Sequence, residues 1–498
     1  MSIETNNNVI ADADHPRVGL FIDGEWIFDR PSCFEVLDPS TEASLTSVPG
    51  ATTADLERVL AAAERGFRIW RDTPAAERNI IISRAIAGVR ARSEEIAQII
   101  TRENGKLIAD ARAEVERSAS FFDWDMAQAL RAYGTIVPGE AQMQKSILRQ
   151  PIGPVAAFTP WNVPLSAPSR KISGALCAGC SIILKAPEET PGAAVAMVQC
   201  FERAGLPKGV LNLVFGNPAL VSSTLIESPV TRMVTLTGSV AVGKHLSQLA
   251  GAAMKPVLME LGGHAPVIVC DGVNAAEIGK MALKSKIRIN AQWCAAPGRF
   301  LVHESIYDEF VAAFVATADQ VRVANGMDTK SDMGPVTSVR RLAAMQHFVD
   351  DALARGGKVA VGGHRVGERG YYFAPTLLVD TPLDCAIMTD EPFGPVAVAV
   401  RFSTLEEAIE ISNSLSVGLA AFAFTNSLEQ AERLSRELDV GVLSINHFGA
   451  PDPDTPFGGV KDSGIGREGG AVEPGLLHGQ QDRATENCSR LTQCPQFP

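Results

Sequence analysis

The sequence predicts an α/β protein: one region with a mostly parallel sheet and a second α/β region after it. Two observations predict this. Short apolar runs recur between amphipathic helical stretches, the rhythm of strands and helices alternating around a parallel sheet. The chain has 498 residues, 46% apolar and 20% charged, enough for two or three domains with cores of their own.

In chain order, Phe21 to Trp26 reads as a hairpin, and 53–71, 75–105 and 113–132 carry helical periodicity with charged faces. The stretch 143–148 reads as a strand in need of an edge partner. From Pro151 the pattern sharpens, with strands expected at 155–158, 181–185, 210–214 and 233–237 and helices between them. A second α/β region opens after Gly262-Gly263, with strands at 266–269 and 300–302, and runs to about 450.

Composition excludes several classes of function. A net charge of -12 repels nucleic acid and anionic membrane, so neither is an expected partner. No run approaches the roughly eighteen apolar residues of a membrane span, and the start lacks a basic, apolar leader, so a cytoplasmic protein is expected. Nine cysteines, an odd number spread over a long chain, fit a reducing compartment. Cys177 and Cys180 have a two-residue gap, but no second pair stands at ligand spacing. They are read as packing residues, and no metal is expected.

Four short blocks carry the chemistry. Cys294 lies in Gln292-Trp293-Cys294-Ala295, thirty-four residues after Glu260 in Met259-Glu260-Leu261-Gly262-Gly263. Pro160-Trp161-Asn162 precedes them and Glu391-Pro392-Phe393-Gly394-Pro395 follows. A thiol with a carboxylate suits covalent catalysis, although most cysteines and most strand-end acids are structural. Gly238, Ser239 and Gly243 stand where a strand turns into a helix, a place where backbone N–H groups approach a pyrophosphate. They lack the three-glycine fingerprint, and alone they read as an ordinary turn. Lys185 closes a buried strand at the sheet edge where ligands gather.

In order and spacing these blocks resemble the aldehyde dehydrogenase superfamily, and its succinate-semialdehyde dehydrogenase group in particular, from about residue 20 to about 470. The resemblance implies a Rossmann-like NAD(P)-binding domain (1–130 and 151–262), a catalytic domain (263–450), and a bridging segment (131–150 and 451–498) used in a homodimer or homotetramer. It implies Cys294 as nucleophile, Asn162 with the Cys294 N–H as oxyanion donors, and Glu260 as the base that activates water. Lys185 and Glu188 would hold the adenosine ribose, and a carboxylate at 188 repels a 2'-phosphate, which favours NAD over NADP. Trp161, Glu391 and Phe393 match residues around the nicotinamide ribose.

The resemblance implies a small aldehyde as substrate. Arg170 and Arg288 fall where the semialdehyde enzymes grip a distal carboxylate, the plainer reading being internal salt bridges. The serine that adds a third contact in that group aligns at or beside Pro451. With Trp293 and Phe457 nearby, an aldehyde ending in a ring, such as a pyridine-bearing 4-oxo-butanal, is the alternative substrate. Ala291 replaces the usual glycine, and Ala296 removes the second thiol of some relatives. A catalytically silent relative is the rival class; a CoA-acylating enzyme is disfavoured by the presence of Glu260. The C-terminus departs from the pattern: 480–488 is polar without alternation, so roughly the last twenty residues are expected to be partly irregular.

Overall fold

The computed structural model describes residues 15–139, 144–449, 452–470 and 480–487. Its first sheet has eight strands, in spatial order Glu25–Ile27, Leu20–Ile22, Leu211–Val214, Ile182–Lys185, Val155–Phe158, Met233–Gly238, Val257–Leu261 and Gly464–Ile465. The five from Leu211–Val214 to Val257–Leu261 are parallel. Every residue of Val155–Phe158, Ile182–Lys185 and Leu211–Val214 is buried. Helices cover both faces of such strands, and their sequences therefore run apolar without alternation.

Chain order fixes where a ligand can enter. From Val155–Phe158 the chain builds outward through Ile182–Lys185 to Leu211–Val214, then returns to the other side with Met233–Gly238 and Val257–Leu261. The order reverses between Val155–Phe158 and Met233–Gly238, and a crevice opens there at the carboxyl ends of the strands.

The expected hairpin pairs Phe21 with Trp26, and both turn residues, Asp23 and Gly24, have positive φ. Two left-handed residues match the twist of the paired strands. The helical reading of 75–105 divides into Ala75–Ala91 and Ser93–Asn104. Arg92 leaves helical geometry between them, anchored to Glu95 and to the Ala196 carbonyl. The third helix begins earlier than its periodicity suggests, at Ile108, and ends at Ala129.

The second sheet has seven strands: Lys358–Val361, Thr376–Val379, Val396–Phe402, Arg299–His303, Pro266–Val269, Ala420–Phe424 and Val442–Ile445. All but the first are parallel to their neighbours. A third sheet of Gln480–Asn487, Gln144–Pro151 and Thr135–Val137 stands apart.

That third sheet corrects the reading of the tail. Gln480–Asn487 pairs antiparallel with Gln144–Pro151 along its whole length, from Gln480 opposite Pro151 to Asn487 opposite Gln144. An edge strand offers a row of backbone N–H and C=O groups to any extended chain, and that pairing is blind to side-chain pattern. The expected irregularity of 488–498 falls outside the described residues. No described helix is long and apolar enough to cross a membrane.

Candidate active site

The loop that carries Cys294 leaves the helix Ala275–Lys286 through a tight turn in which Ile289, Asn290 and Ala291 all adopt left-handed backbone, at φ 51°, 53° and 60°. For residues with a Cβ this costs about 1 kcal/mol or more each, so the surroundings must enforce it. They do so with hydrogen bonds. Asp110 Oδ2 accepts the Ile289 N–H at 3.1 Å. The Asn290 amide accepts from Gly334 N and donates to the Pro335 carbonyl, while Gln292 Oε1 accepts from Thr337 N at 3.0 Å. The left-handed φ at Ala291 is a conformation that glycine adopts without that penalty.

Asn162 reaches this loop from the first sheet, its Nδ2 donating to the Gln292 carbonyl at 2.9 Å. Its own carbonyl accepts from Lys106 Nζ at 2.7 Å, and Lys106 is paired with Glu114 at 2.5 Å in full burial. The other Glu114 oxygen accepts the N–H groups of Leu165 and Ser166 at the start of the helix Ser166–Ala178. Lys106 and Glu114 thus seat Asn162, and neither carries a motif that marks it in the sequence. Lys106→Met is expected to leave Glu114 buried without its cation and to cost about 3–5 kcal/mol of stability, measured by urea unfolding.

Cys294 is partly exposed, and the near-buried Glu260 lies beside it. Burial raises the Glu260 pKa to about 7, with the Glu468 carboxylate adding to the rise and Lys171, Cys294 and Arg170 opposing it. Burial also drives the Cys294 thiol well above its ordinary value, reinforced by the carboxylates of Glu260 and Glu391. The Glu260 Oε1 has no hydrogen-bond partner among the described residues.

Glu391 closes the other side. Its Oε2 lies 2.5 Å from where a Cβ on Gly262 would stand, so only glycine at 262 admits it. Burial lifts the Glu391 pKa to about 8, against the pull of the Gly263 N–H. Lys286, fully buried and facing Glu391, is pushed down to about 7 by the same desolvation. Ser463 Oγ donates to the Gly262 carbonyl at 2.8 Å and accepts from Gly418 N, which fastens the glycine pair. Phe393 meets Trp161 edge to face, 5.4 Å between ring centres.

The crevice residues fit a dinucleotide. Lys185 Nζ donates to Glu188 Oε2 at 2.6 Å, and the other Glu188 oxygen accepts the Gly216 N–H at 2.9 Å. Gly238 ends its strand, and Ser239 caps the helix Val240–Ala252, so that helix presents its N-terminus at the switch point. At Gly243 a Cβ would stand 2.4 Å from Leu261, so glycine lets helix and strand close together. The structure therefore places the expected thiol, carboxylate and amide with Trp161, Glu391 and Phe393 where the two sheets meet, and Lys185, Glu188 and Ser239 along the first sheet's carboxyl edge.

Arg170 stacks on Phe121 at 4.0 Å, and Arg288 lies 5.4 Å from the Trp293 ring while donating to the Phe448 carbonyl at 3.4 Å. The Trp293 indole is nearly buried in the core of the second sheet, and its N–H finds no described acceptor. Phe457 is half-buried and joined through its backbone to Glu468. Pro451, the position aligned with the third carboxylate contact, lies outside the described residues. Cys177 and Cys180 are buried thiols outside any disulfide, with desolvation raising Cys180 to about 11, in keeping with packing residues.

Known proteins are similar to this chain. The chain is 44% identical over 456 residues to 4-(hydroxymethyl)benzenesulfonate dehydrogenase TsaD1 of Comamonas testosteroni, covering 91% of this chain and 94% of that protein. It is 36% identical over 462 residues to a glutarate-semialdehyde dehydrogenase of Pseudomonas aeruginosa, covering 92% and 96%. The solved succinate-semialdehyde dehydrogenase of Burkholderia pseudomallei superposes with a TM-score of 0.92 at 35% identity, over 96% of this chain and 99% of that one. Residues 26–476 match the model of the Aldehyde dehydrogenase family; with thiol, acid and amide gathered beside a dinucleotide crevice, the chain belongs to that family of NAD(P)-dependent enzymes, which oxidise aldehydes to acids.

Proposed function

We propose that the enzyme oxidises an aldehyde whose far end carries an anion, a semialdehyde in the broad sense, with NAD as the favoured cofactor. One observation carries the substrate reading: Arg170 and Arg288 approach the Cys294 site, and neither forms an ion pair with a described residue. The Glu468 and Asp125 carboxylates attract Arg170 from beyond ion-pair contact, and a guanidinium with donors left over is ready for charge-assisted hydrogen bonds. Both relatives named above carry an anionic group in the compound that names them, benzenesulfonate in one and glutarate semialdehyde in the other. The half-buried Phe457 keeps a ring-ended substrate, such as the pyridine-bearing 4-oxo-butanal, as the second reading.

In the proposed reaction, Cys294 attacks the carbonyl and forms a thiohemiacetal. The Asn162 amide has a second N–H beyond the one held by Gln292, and with the Cys294 backbone N–H it stabilises the developing oxyanion. Asn162→Ala is expected to cost about 3 kcal/mol in the transition state, roughly a hundredfold in kcat, read by steady-state kinetics. The nicotinamide would supply the acceptor for the hydride whose loss turns the thiohemiacetal into a thioester. Glu260, near neutrality in pKa, then takes a proton from water, which cleaves the thioester and releases the acid.

The lean to NAD rests on Glu188. Held by Lys185 and the Gly216 N–H, its carboxylate can accept from ribose hydroxyls and repels a 2'-phosphate. Kinetics with succinate semialdehyde, an uncharged aldehyde and the pyridine-bearing aldehyde, each with NAD and NADP, tests both readings. Equal efficiency with charged and uncharged substrates defeats the first, and a preference for NADP defeats the second.

Assembly as a homodimer or homotetramer through the third sheet is supported by exposed Leu130, Tyr133, Ile136 and Leu148 around it. Light scattering gives the subunit number, and a monomer would defeat this proposal. The seven described cysteines form no disulfide with one another, which supports a reducing cytoplasm.

A further inference from the structure

A third guanidinium joins the two that the substrate reading uses. Arg117 lies on the helix Ile108–Ala129, which packs against Ser166–Ala178, the helix of Arg170. It stands four residues before Phe121, on the same helical face, and the Phe121 ring carries the Arg170 guanidinium. Arg117 lies within charge-interaction range of Arg170, Arg288 and Cys294, and of the Asp452 carboxylate. The loop that contributes Asp452 closes over this helix, where Trp124 Nε1 donates to the Gly470 carbonyl at 3.2 Å.

Three cations converge here from three separate parts of the chain. At close range like charges repel, and partial burial sharpens the repulsion. The carboxylates of Asp452, Glu468 and Asp125 offset part of that repulsion, and a substrate anion among the three guanidinium groups would offset more. A guanidinium has five N–H donors, so a partner on one edge leaves another edge open. A carboxylate offers two oxygens in a plane, which two arginines can satisfy. A sulfonate or phosphate offers three oxygens in a pyramid, and three guanidinium groups around it can each take one.

We propose that Arg117, Arg170 and Arg288 form a subsite for a three-oxygen anion, and that Arg117 makes the enzyme prefer an aldehyde ending in a sulfonate or phosphate over its carboxylate analogue. This rests on the reading of the substrate as an anionic aldehyde and makes it narrower. Arg117 acts on binding at the far end of the substrate, away from the sulfur, so its effect falls chiefly on KM.

A matched series tests it: benzaldehyde, 4-formylbenzoate, 4-formylbenzenesulfonate and 4-formylphenyl phosphate, with wild type, Arg117→Met, Arg117→Lys and Arg170→Met. Wild type is expected to favour the sulfonate or the phosphate over the benzoate in kcat/KM, and the better of the two identifies the natural charge. Arg117→Met is expected to lose about ten- to hundredfold more with that substrate than with benzaldehyde, through KM. Arg117→Lys keeps the charge without the fork, so it restores part of the loss. Circular dichroism and cofactor binding report that each variant has folded, and an Arg117→Met that has not is replaced by Arg117→Gln. A wild type that prefers the benzoate, or an Arg117→Met that loses equally on all four compounds, overturns the inference. In those cases a selective loss of the charged compounds in Arg170→Met leaves the anionic-aldehyde reading standing. A wild type that treats all four alike overturns both.

Discussion

Cys294→Ala is expected to abolish aldehyde turnover, by at least about four orders of magnitude, while leaving nicotinamide cofactor binding in place. The size of the effect follows from chemistry, since no other described thiol is near Glu260 and Asn162 to take over. Cys177, Cys180, Cys200, Cys270 and Cys385 are buried elsewhere, and Cys33 lies in the hairpin strand Ser32–Leu37. Cofactor binding survives because Lys185, Glu188 and Ser239 sit on the first sheet and depend on none of the Cys294 contacts. Dehydrogenase assays with cofactor fluorescence titration check both halves. Residual turnover within tenfold of wild type would remove Cys294 from the mechanism.

Glu260→Gln is expected to slow hydrolysis by about two to four orders of magnitude and to trap the acyl-enzyme. The structure gives a reason for the first half-reaction to persist. Glu260 is one of the groups that hold the proton on Cys294, so a neutral glutamine lowers the thiol pKa and favours attack. Acylation then outruns deacylation, and intact-protein mass spectrometry should show the adduct on Cys294. No adduct, with turnover still lost, would move the role of Glu260 to the first step.

The same carboxyl predicts a pH dependence. As a base Glu260 works ionised, so with its pKa near 7 deacylation rises as pH increases through 7 and falls away below it. Glu468 is a like charge that raises this pKa, and it is ion-paired with Lys171, whose own effect is to lower it. Glu468→Gln removes the repulsion and frees the cation. Both changes favour the ionised form of Glu260, so the acid limb should move by about one pH unit toward acid, measured by single-turnover deacylation across pH 5 to 9. An unmoved limb would show that another group controls the step.

Much of the fold was legible because burial writes itself into the sequence. The strands at 155–158, 182–185 and 211–214 are buried along their whole length, and each stands out as an apolar run. The tail strand 480–487 was not legible, since backbone pairing with Gln144–Pro151 asks nothing of side-chain order. Nor was the break at Arg92, where no glycine or proline marks the change and the stop comes from contacts with Glu95 and Ala196. At the site, Cys294, Glu260 and Asn162 could be picked out because their neighbours form motifs. The residues that hold them could not. Asp110, Lys106, Glu114 and Ser463 act on distant backbone atoms, and their meaning arises only when chain segments far apart in sequence come into contact.

The sequence by itself determined the class of chemistry, since the motif blocks around Asn162, Glu260, Cys294 and Glu391 resemble those of an aldehyde-oxidising family whose model the chain matches. Only the tertiary structure decided how those groups are tuned. The pKa of Glu260 depends on desolvation and on Glu468 reaching it from the far end of the chain, and Arg170 comes within range of Cys294 from a separate part of the chain. Charge interactions act through space and through the local dielectric, and neither is a property of any stretch of sequence.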